Sequence, residues 1–97
     1  MIVALASVFP QCAIADAGAD TFKARCAPCH GATGRGDTKM GQHLKVRDLG
    51  SHDVQKQSDD ELEAIIAKGK GKMPAYERKL TKEQIEDLVK FIRSLRK

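Results

Sequence analysis

Two thiols and an imidazole stand within five residues at Cys26-Ala27-Pro28-Cys29-His30, and no other stretch limits the fold as strongly. Two residues between the cysteines put the sulfurs about one helical turn apart, so both can reach one edge of a flat ring. Each thiol can then add to a vinyl group on that edge. The next residue, His30, can turn beneath the ring and offer a nitrogen to a metal at its centre. This C-x-x-C-H spacing is the attachment pattern of a covalently bound haem. A chain built on it is expected to close around a planar apolar group.

Two other chemistries use a C-x-x-C pair. A dithiol redox motif sits in a βαβ context, and the strand-like alternation this needs is nearly absent. A structural zinc site needs a second Cys/His pair at regular spacing, whereas His43 and His52 lie nine residues apart. The haem reading is the one the context supports.

At 97 residues the chain has room for one domain. So small a core often needs a staple, and a covalent haem would supply one. With no Trp, one Tyr and three Phe, the chain carries few of the residues that fill a self-sufficient core. Three cysteines do not form a disulfide framework, because Cys26 and Cys29 belong to the haem motif. Cys12 falls in an N-terminal stretch, residues 1–15, that reads as the end of a secretory signal peptide. An apolar run, Ile2 to Phe9, is followed there by small residues. Ala13-Ile14-Ala15 fits the cleavage pattern, with Ala15-Asp16-Ala17 as a second candidate. No Lys or Arg precedes the run, and it is too short to span a bilayer as a helix. Phe9-Pro10-Gln11 is a poor match to a lipoprotein signal, so Cys12 is taken as an ordinary residue of the signal. The expectation is an exported protein, in a periplasm or a thylakoid lumen, with residues 16–97 as one domain not inserted in the membrane.

All seventeen basic and thirteen acidic residues fall after Ala15, so that domain keeps the net charge of +4. The excess is too mild for nucleic-acid binding and lacks stacking aromatics. It suits docking against an acidic protein surface.

Three main helices are expected and no strand. The first runs from about Ala19 to Cys29, capped by Asp16 or Asp20, with Phe22 and Cys26 on one face and Gly18 four residues back. A small residue there lets another helix cross closely. The second opens on the capping box Ser58-x-x-Glu61, carries Leu62, Ile65 and Ile66, and ends at Lys68-Gly69. The third opens on Thr81-x-x-Gln84 and buries Ile85, Leu88, Val89, Ile92 and Leu95, with Phe91 on the flank. From Gly31 to about Ser51 the glycines predict an irregular loop with Leu44, Val46 and Leu49 turned inward. Gly34-Arg35-Gly36-Asp37 is read as surface loop, since no G-K-S/T follows as a phosphate loop requires.

A second iron ligand is expected from Met73. It lies in Lys68-Gly69-Lys70-Gly71-Lys72-Met73-Pro74-Ala75-Tyr76, where Pro74 stiffens the backbone and the glycines permit close approach. A thioether is a soft neutral donor that favours ferrous iron. Met40 is the alternative thioether, and His43 or His52 would give a bis-histidine haem instead.

Taken together, these motifs resemble the small class I c-type cytochromes of bacteria and algae, the group of cytochrome c6. The likeness runs from about Ala17 to the C-terminus. It rests on Gly18, Phe22 and Cys26, on the Cys26-x-x-Cys29-His30 motif, on Lys70 to Tyr76, and on the last helix. It implies a small all-α cytochrome c fold with glycine-rich loops around one haem c. Cys26 and Cys29 would hold the haem, His30 and Met73 would ligate its iron, and Gly18 and Phe22 would meet Phe91 where the first and last helices cross. One departure stands out. Members often carry a proline before a haem-packing leucine, whose carbonyl takes the proton of the ligating histidine. The stretch here is Val46-Arg47-Asp48-Leu49, without proline. Tryptophan is also absent, which leaves Arg47, Lys45, Gln42 and Tyr76 as candidate donors to the haem propionates.

With both axial positions filled, the expected function is one-electron transfer between Fe(III) and Fe(II) in a respiratory or photosynthetic chain, without catalysis. Lys68, Lys70, Lys72 and Lys79, with Arg78, would face an acidic redox partner. The alternatives are a peroxidase-like enzyme or a small-ligand sensor in which the methionine bond is labile. Neither a distal acid–base pair nor an effector domain is visible for them.

Overall fold

In the computed structural model, residues 13–97 are described. The apolar run and Cys12 lie outside them. Six helices follow in order: α1 (Ala13–Arg25), α2 (Ala27–His30), α3 (Lys39–Leu44), α4 (His52–Gln55), α5 (Asp59–Lys68) and α6 (Lys82–Ser94). Among the described residues there is no strand beyond one isolated bridge between Lys70 and Met73. No described helix is long and apolar enough to cross a membrane.

The first helix differs from expectation at both ends. The chain is already helical at Ala13, the first described residue, where Ala13-Ile14-Ala15-Asp16-Ala17 is rich in strong helix formers, so positions 16 and 20 lie inside the helix. It stops at Arg25, because Pro28 has no N–H to give to the carbonyl of Ala24. Cys26 is the break, and the chain re-enters a single turn in which the N–H groups of Cys29 and His30 both reach the Cys26 carbonyl, at 3.2 and 2.8 Å. The haem motif therefore sits on its own turn, docked on the end of α1.

Contrary to expectation, the stretch from Gly31 to Ser51 is not wholly irregular, since it holds α3. Thr38 is its signal in the sequence. Its hydroxyl accepts from Gly41 N–H at 2.8 Å, capping α3, and donates toward the carbonyls of Pro28 and Cys29 at 3.0 Å each. One side chain thus caps a helix and anchors it to the haem motif. Leu49 turns fully inward, and Leu44 and Val46 partly so.

Both capping boxes form as the spacing predicts, Ser58 with Glu61 and Thr81 with Gln84. On α6, Ile85, Leu88, Val89 and Ile92 are buried. Each such side chain contributes roughly 1.5–3 kcal/mol of burial. This stripe packs on α1 and α5. The crossing of α1 and α6 brings the Phe22 and Phe91 rings to 4.7 Å between centroids, tilted by 38°. Phe22, at 2% exposed, and Leu88, at 1%, form the centre of the core.

Two polar ties hold the remaining chain. Arg93 on α6 donates to the carbonyls of Gln55 (2.8 Å) and Gln57 and to the Asp59 carboxylate (2.9 Å), fixing the link between α4 and α5. At the C-terminus, Lys97 pairs with Asp48, whose other oxygen accepts from Gly50 N–H at 2.9 Å. The hydrogen bond from Lys97, and then that from Gly50, hold the Asp48 carboxyl below its ordinary value of 3.8. A carboxylate with a lowered folded pKa stabilises the protein fully above the unfolded value, and the contribution is lost as pH falls through the folded one. Asp48→Asn is therefore expected to flatten part of the loss of stability between about pH 4 and pH 2. The effect should be under about 1 kcal/mol, as for exposed ion pairs. Urea melts of both proteins at the two pH values check this; equal acid sensitivity would count against the tie.

Candidate haem site

A cavity of about 340 Å³ opens between these elements, within the range of small-molecule sites. Its wall takes Phe22 and Cys26 from the end of α1 and the break, and Cys29 and His30 from α2. Leu44 comes from the end of α3, Val46 and Leu49 from the loop after it, Leu62, Ile65 and Ile66 from α5, and Leu88 and Ile92 from α6. Met73, Pro74 and Tyr76 close it from the segment between α5 and α6. That segment turns tightly: Lys70 and Met73 exchange backbone hydrogen bonds at 3.0 and 3.2 Å, and Tyr76 N–H reaches the Ile66 carbonyl at 3.0 Å. Gly69 makes the turn at φ +78°, and a Cβ there would lie 2.6 Å from the Met73 carbonyl oxygen, so no larger residue fits.

All four expected site residues, Cys26, Cys29, His30 and Met73, line this one cavity. Met40, His43 and His52 do not line it; Met40 is 52% exposed and both histidines are exposed. Of the expected propionate donors, Lys45, Arg47 and Tyr76 line the cavity. Gln42 does not, and its amide donates instead to the Asp37 carbonyl at 3.3 Å. Lys70 and Lys72 also reach the cavity wall, while Lys68, Arg78 and Lys79 do not, and Lys79 sits over the Tyr76 ring. Arg25 is a lining residue that sequence reasoning passed over, though its place directly before Cys26 is a signal. Among the described residues, Arg25, Lys45, Arg47, Lys70 and Lys72 are the charged residues of the wall, and no carboxylate joins them.

The chemistry of the wall fits a haem. Cys26 and Cys29 are both free and half-buried. Burial, opposed by Arg25 and aided by Cys29, pushes the Cys26 thiol up to about 11. Redox-active dithiols have lowered values instead, so the dithiol reading loses support. Burial also lowers the pKa of His30, which keeps the imidazole neutral and able to donate an electron pair. His30 Nδ1 is buried with no hydrogen-bond partner, the one such side-chain atom among the described residues. Neutral imidazole, neutral thioether, two thiols and an apolar slot are together the donor set of a covalently attached haem.

A family model described as "Cytochrome C oxidase, cbb3-type, subunit III" matches residues 13–92. A cytochrome c6 from Leptolyngbya boryana is 36% identical over 81 residues, covering 80% of this chain and 88% of that one. The chain belongs to the c-type cytochromes. A cytochrome c6 from Nostoc sp. is also 36% identical, over 75 residues; the match takes in 77% of this chain and 65% of its relative. Among solved structures, the KustC0563 c-type cytochrome superposes with a TM-score of 0.77 at 30% identity, over 82% of this chain and 98% of that one. The fold is thus the small all-α cytochrome c fold, and its cofactor is one covalently bound haem c. As a c-type cytochrome of this kind, the protein is a mono-haem electron carrier and not an enzyme.

Proposed function

We propose that the cytochrome is a soluble, exported carrier whose haem is attached through Cys26 and Cys29 and ligated by His30 and Met73. The observation that carries this reading is the convergence of those four side chains on one apolar cavity from which Met40, His43 and His52 are absent. Bound there, the haem supplies the one-electron Fe(III)/Fe(II) couple. The chain's own residues do the rest. Phe22, Leu49, Leu62, Ile66, Leu88 and Ile92 exclude water, which keeps the reorganisation that accompanies electron transfer small. His30 and Met73 present neutral donors, and the thioether favours the ferrous state. The test is a redox titration followed by optical spectra. A far-red sulfur-to-iron absorption band in the ferric protein at neutral pH is expected. A high-spin ferric spectrum would remove Met73 as a ligand.

We also propose that the protein works between redox proteins in a periplasm or lumen, after removal of residues 1–15. The oxidase-subunit family model favours a respiratory partner. Docking is assigned to the basic residues of the cavity wall, Lys70 and Lys72 together with Arg25, Lys45 and Arg47, with Lys68 and Lys79 further out. Such a rim would steer anions, and the steering would fade with salt. Oxidation of the reduced protein by hexacyanoferrate(III) is expected to slow several-fold between about 10 mM and 0.5 M salt. Lys70→Gln with Lys72→Gln should weaken that dependence more than Lys68→Gln with Lys79→Gln. Equal responses would show that net charge alone acts.

A further inference from the structure

The end of α1 leaves main-chain acceptors without their helical donors. Pro28 has no N–H for the Ala24 carbonyl. The Cys29 N–H, four residues past Arg25, turns to the Cys26 carbonyl at 3.2 Å. The Arg25 carbonyl is met from elsewhere in the chain: the Tyr76 hydroxyl donates to it at 3.4 Å, across 51 positions of sequence. The main chain of Tyr76 is fixed at a different place. Its N–H reaches the Ile66 carbonyl at 3.0 Å and the Ala67 carbonyl at 3.2 Å, and Glu77 N–H also reaches Ala67, at 3.0 Å. One residue therefore spans two helix ends, with its backbone on α5 and its hydroxyl on α1. Its half-buried ring packs against the core and lines the cavity, with Lys79 Nζ 5.7 Å from the ring centroid. Met73 stands three residues before it, on the turn closed with Lys70. A phenol has one proton to donate. Given to the Arg25 carbonyl, that proton does not serve a haem propionate, which leaves Lys45 and Arg47 of the expected donors on the wall.

We propose that Tyr76 is the positioning residue for Met73, a strut between the methionine segment and the helix that leads into the attachment turn. Main-chain bonds hold that segment to α5, and the phenol ties it to α1. The two halves of the iron clamp, Cys26 to His30 and Met73, are then joined through protein as well as through the metal. A thioether favours ferrous iron, so its bond is the weaker one in the ferric state. The strut keeps the sulfur in place when that bond is weakest and so opposes the entry of an external ligand. This deepens the assignment of Met73 as an iron ligand and rests on it.

The test uses the ferric holo-protein and added imidazole, which must displace the methionine segment to reach the iron. Tyr76→Phe keeps the ring and removes the hydroxyl. It is expected to retain the far-red band and to bind imidazole about 2- to 10-fold more tightly than the parent, as the loss of one hydrogen bond of ordinary net strength predicts. Ser58→Ala is the control for stability. It removes the N-cap at the other end of α5, outside the cavity wall, at a comparable cost. That variant is expected to bind imidazole as the parent does. Unchanged imidazole binding in Tyr76→Phe, or an equal rise in both variants, overturns the proposal. So does a reduction potential whose pH dependence changes in Tyr76→Phe while imidazole binding stays as in the parent, because the hydroxyl would then serve a propionate. Failure of the Met73 assignment looks different: the parent ferric protein would itself lack the far-red band, and this proposal would fall with it.

Discussion

Met73→Ala is expected to abolish the far-red absorption band of the ferric protein and to lower its reduction potential by on the order of 0.1 V or more, within the roughly 0.8 V that axial ligands span. Loss of the thioether removes the donor that favours Fe(II), and water or an added ligand can then take the open position. The effect should fall mainly on the iron, because main-chain bonds hold the segment that carries Met73 in addition to the packing of its side chain on the core. The Lys70–Met73 bridge and the bonds from Tyr76 to α5 use main-chain groups that alanine keeps. The holo-protein should therefore stay folded while its spectrum changes, and added imidazole should bind to the variant far more tightly than to the parent. Met40→Ala is the control: an exposed residue away from the cavity should leave band and potential untouched. A far-red band that survives in Met73→Ala would end the assignment.

The largest loss of stability is expected at Gly18. A Cβ there would stand 2.4 Å from the Asp87 carbonyl oxygen and 3.3 Å from the Phe91 Cβ. The first of these atoms is main chain, so no rotamer change relieves the clash and α1 must draw away from α6. Alanine in a helix gains about 1 kcal/mol over glycine. Overpacking costs about 1–3 kcal/mol and sometimes more where the backbone itself must move. The clash wins, because separating the helices also loosens Phe22 against Phe91. We expect Gly18→Ala to destabilise the holo-protein by about 2 kcal/mol and Gly18→Val by more, against a total of roughly 5–15 kcal/mol. Guanidinium melts measure both. A neutral or stabilising Gly18→Ala would mean that the crossing can widen without loss.

Legibility in the sequence followed the range of the interaction. The two capping boxes, the glycine stop of α5 and the buried stripe of α6 depend on residues three or four apart, and they form as read except that Leu95 follows the end of α6 and is only half-buried. The first turns of α1 and the helix α3 were misread, the one for a local reason and the other for a longer-range one. At α1 the propensity of an alanine-rich stretch keeps the chain helical through both positions expected to cap it. At α3 the cap, Thr38, draws much of its purpose from carbonyls nine and ten residues away, which no local pattern displays.

The site divides in the same way. Taken alone, the sequence put Cys26, Cys29 and His30 within one turn, the spacing that the proposed attachment and ligation require. It also narrowed the second ligand to a few candidates. The tertiary structure decided the rest. It brought Met73 to the cavity and left Met40, His43 and His52 outside, and it put Arg25 on the wall. It also set the Phe22 ring beside that of His30, with the centroids 6.3 Å apart. Spacing along a chain governs what one turn can hold. Which side chains meet across a cavity depends on how helices cross, and here that crossing turns on the missing side chain of Gly18.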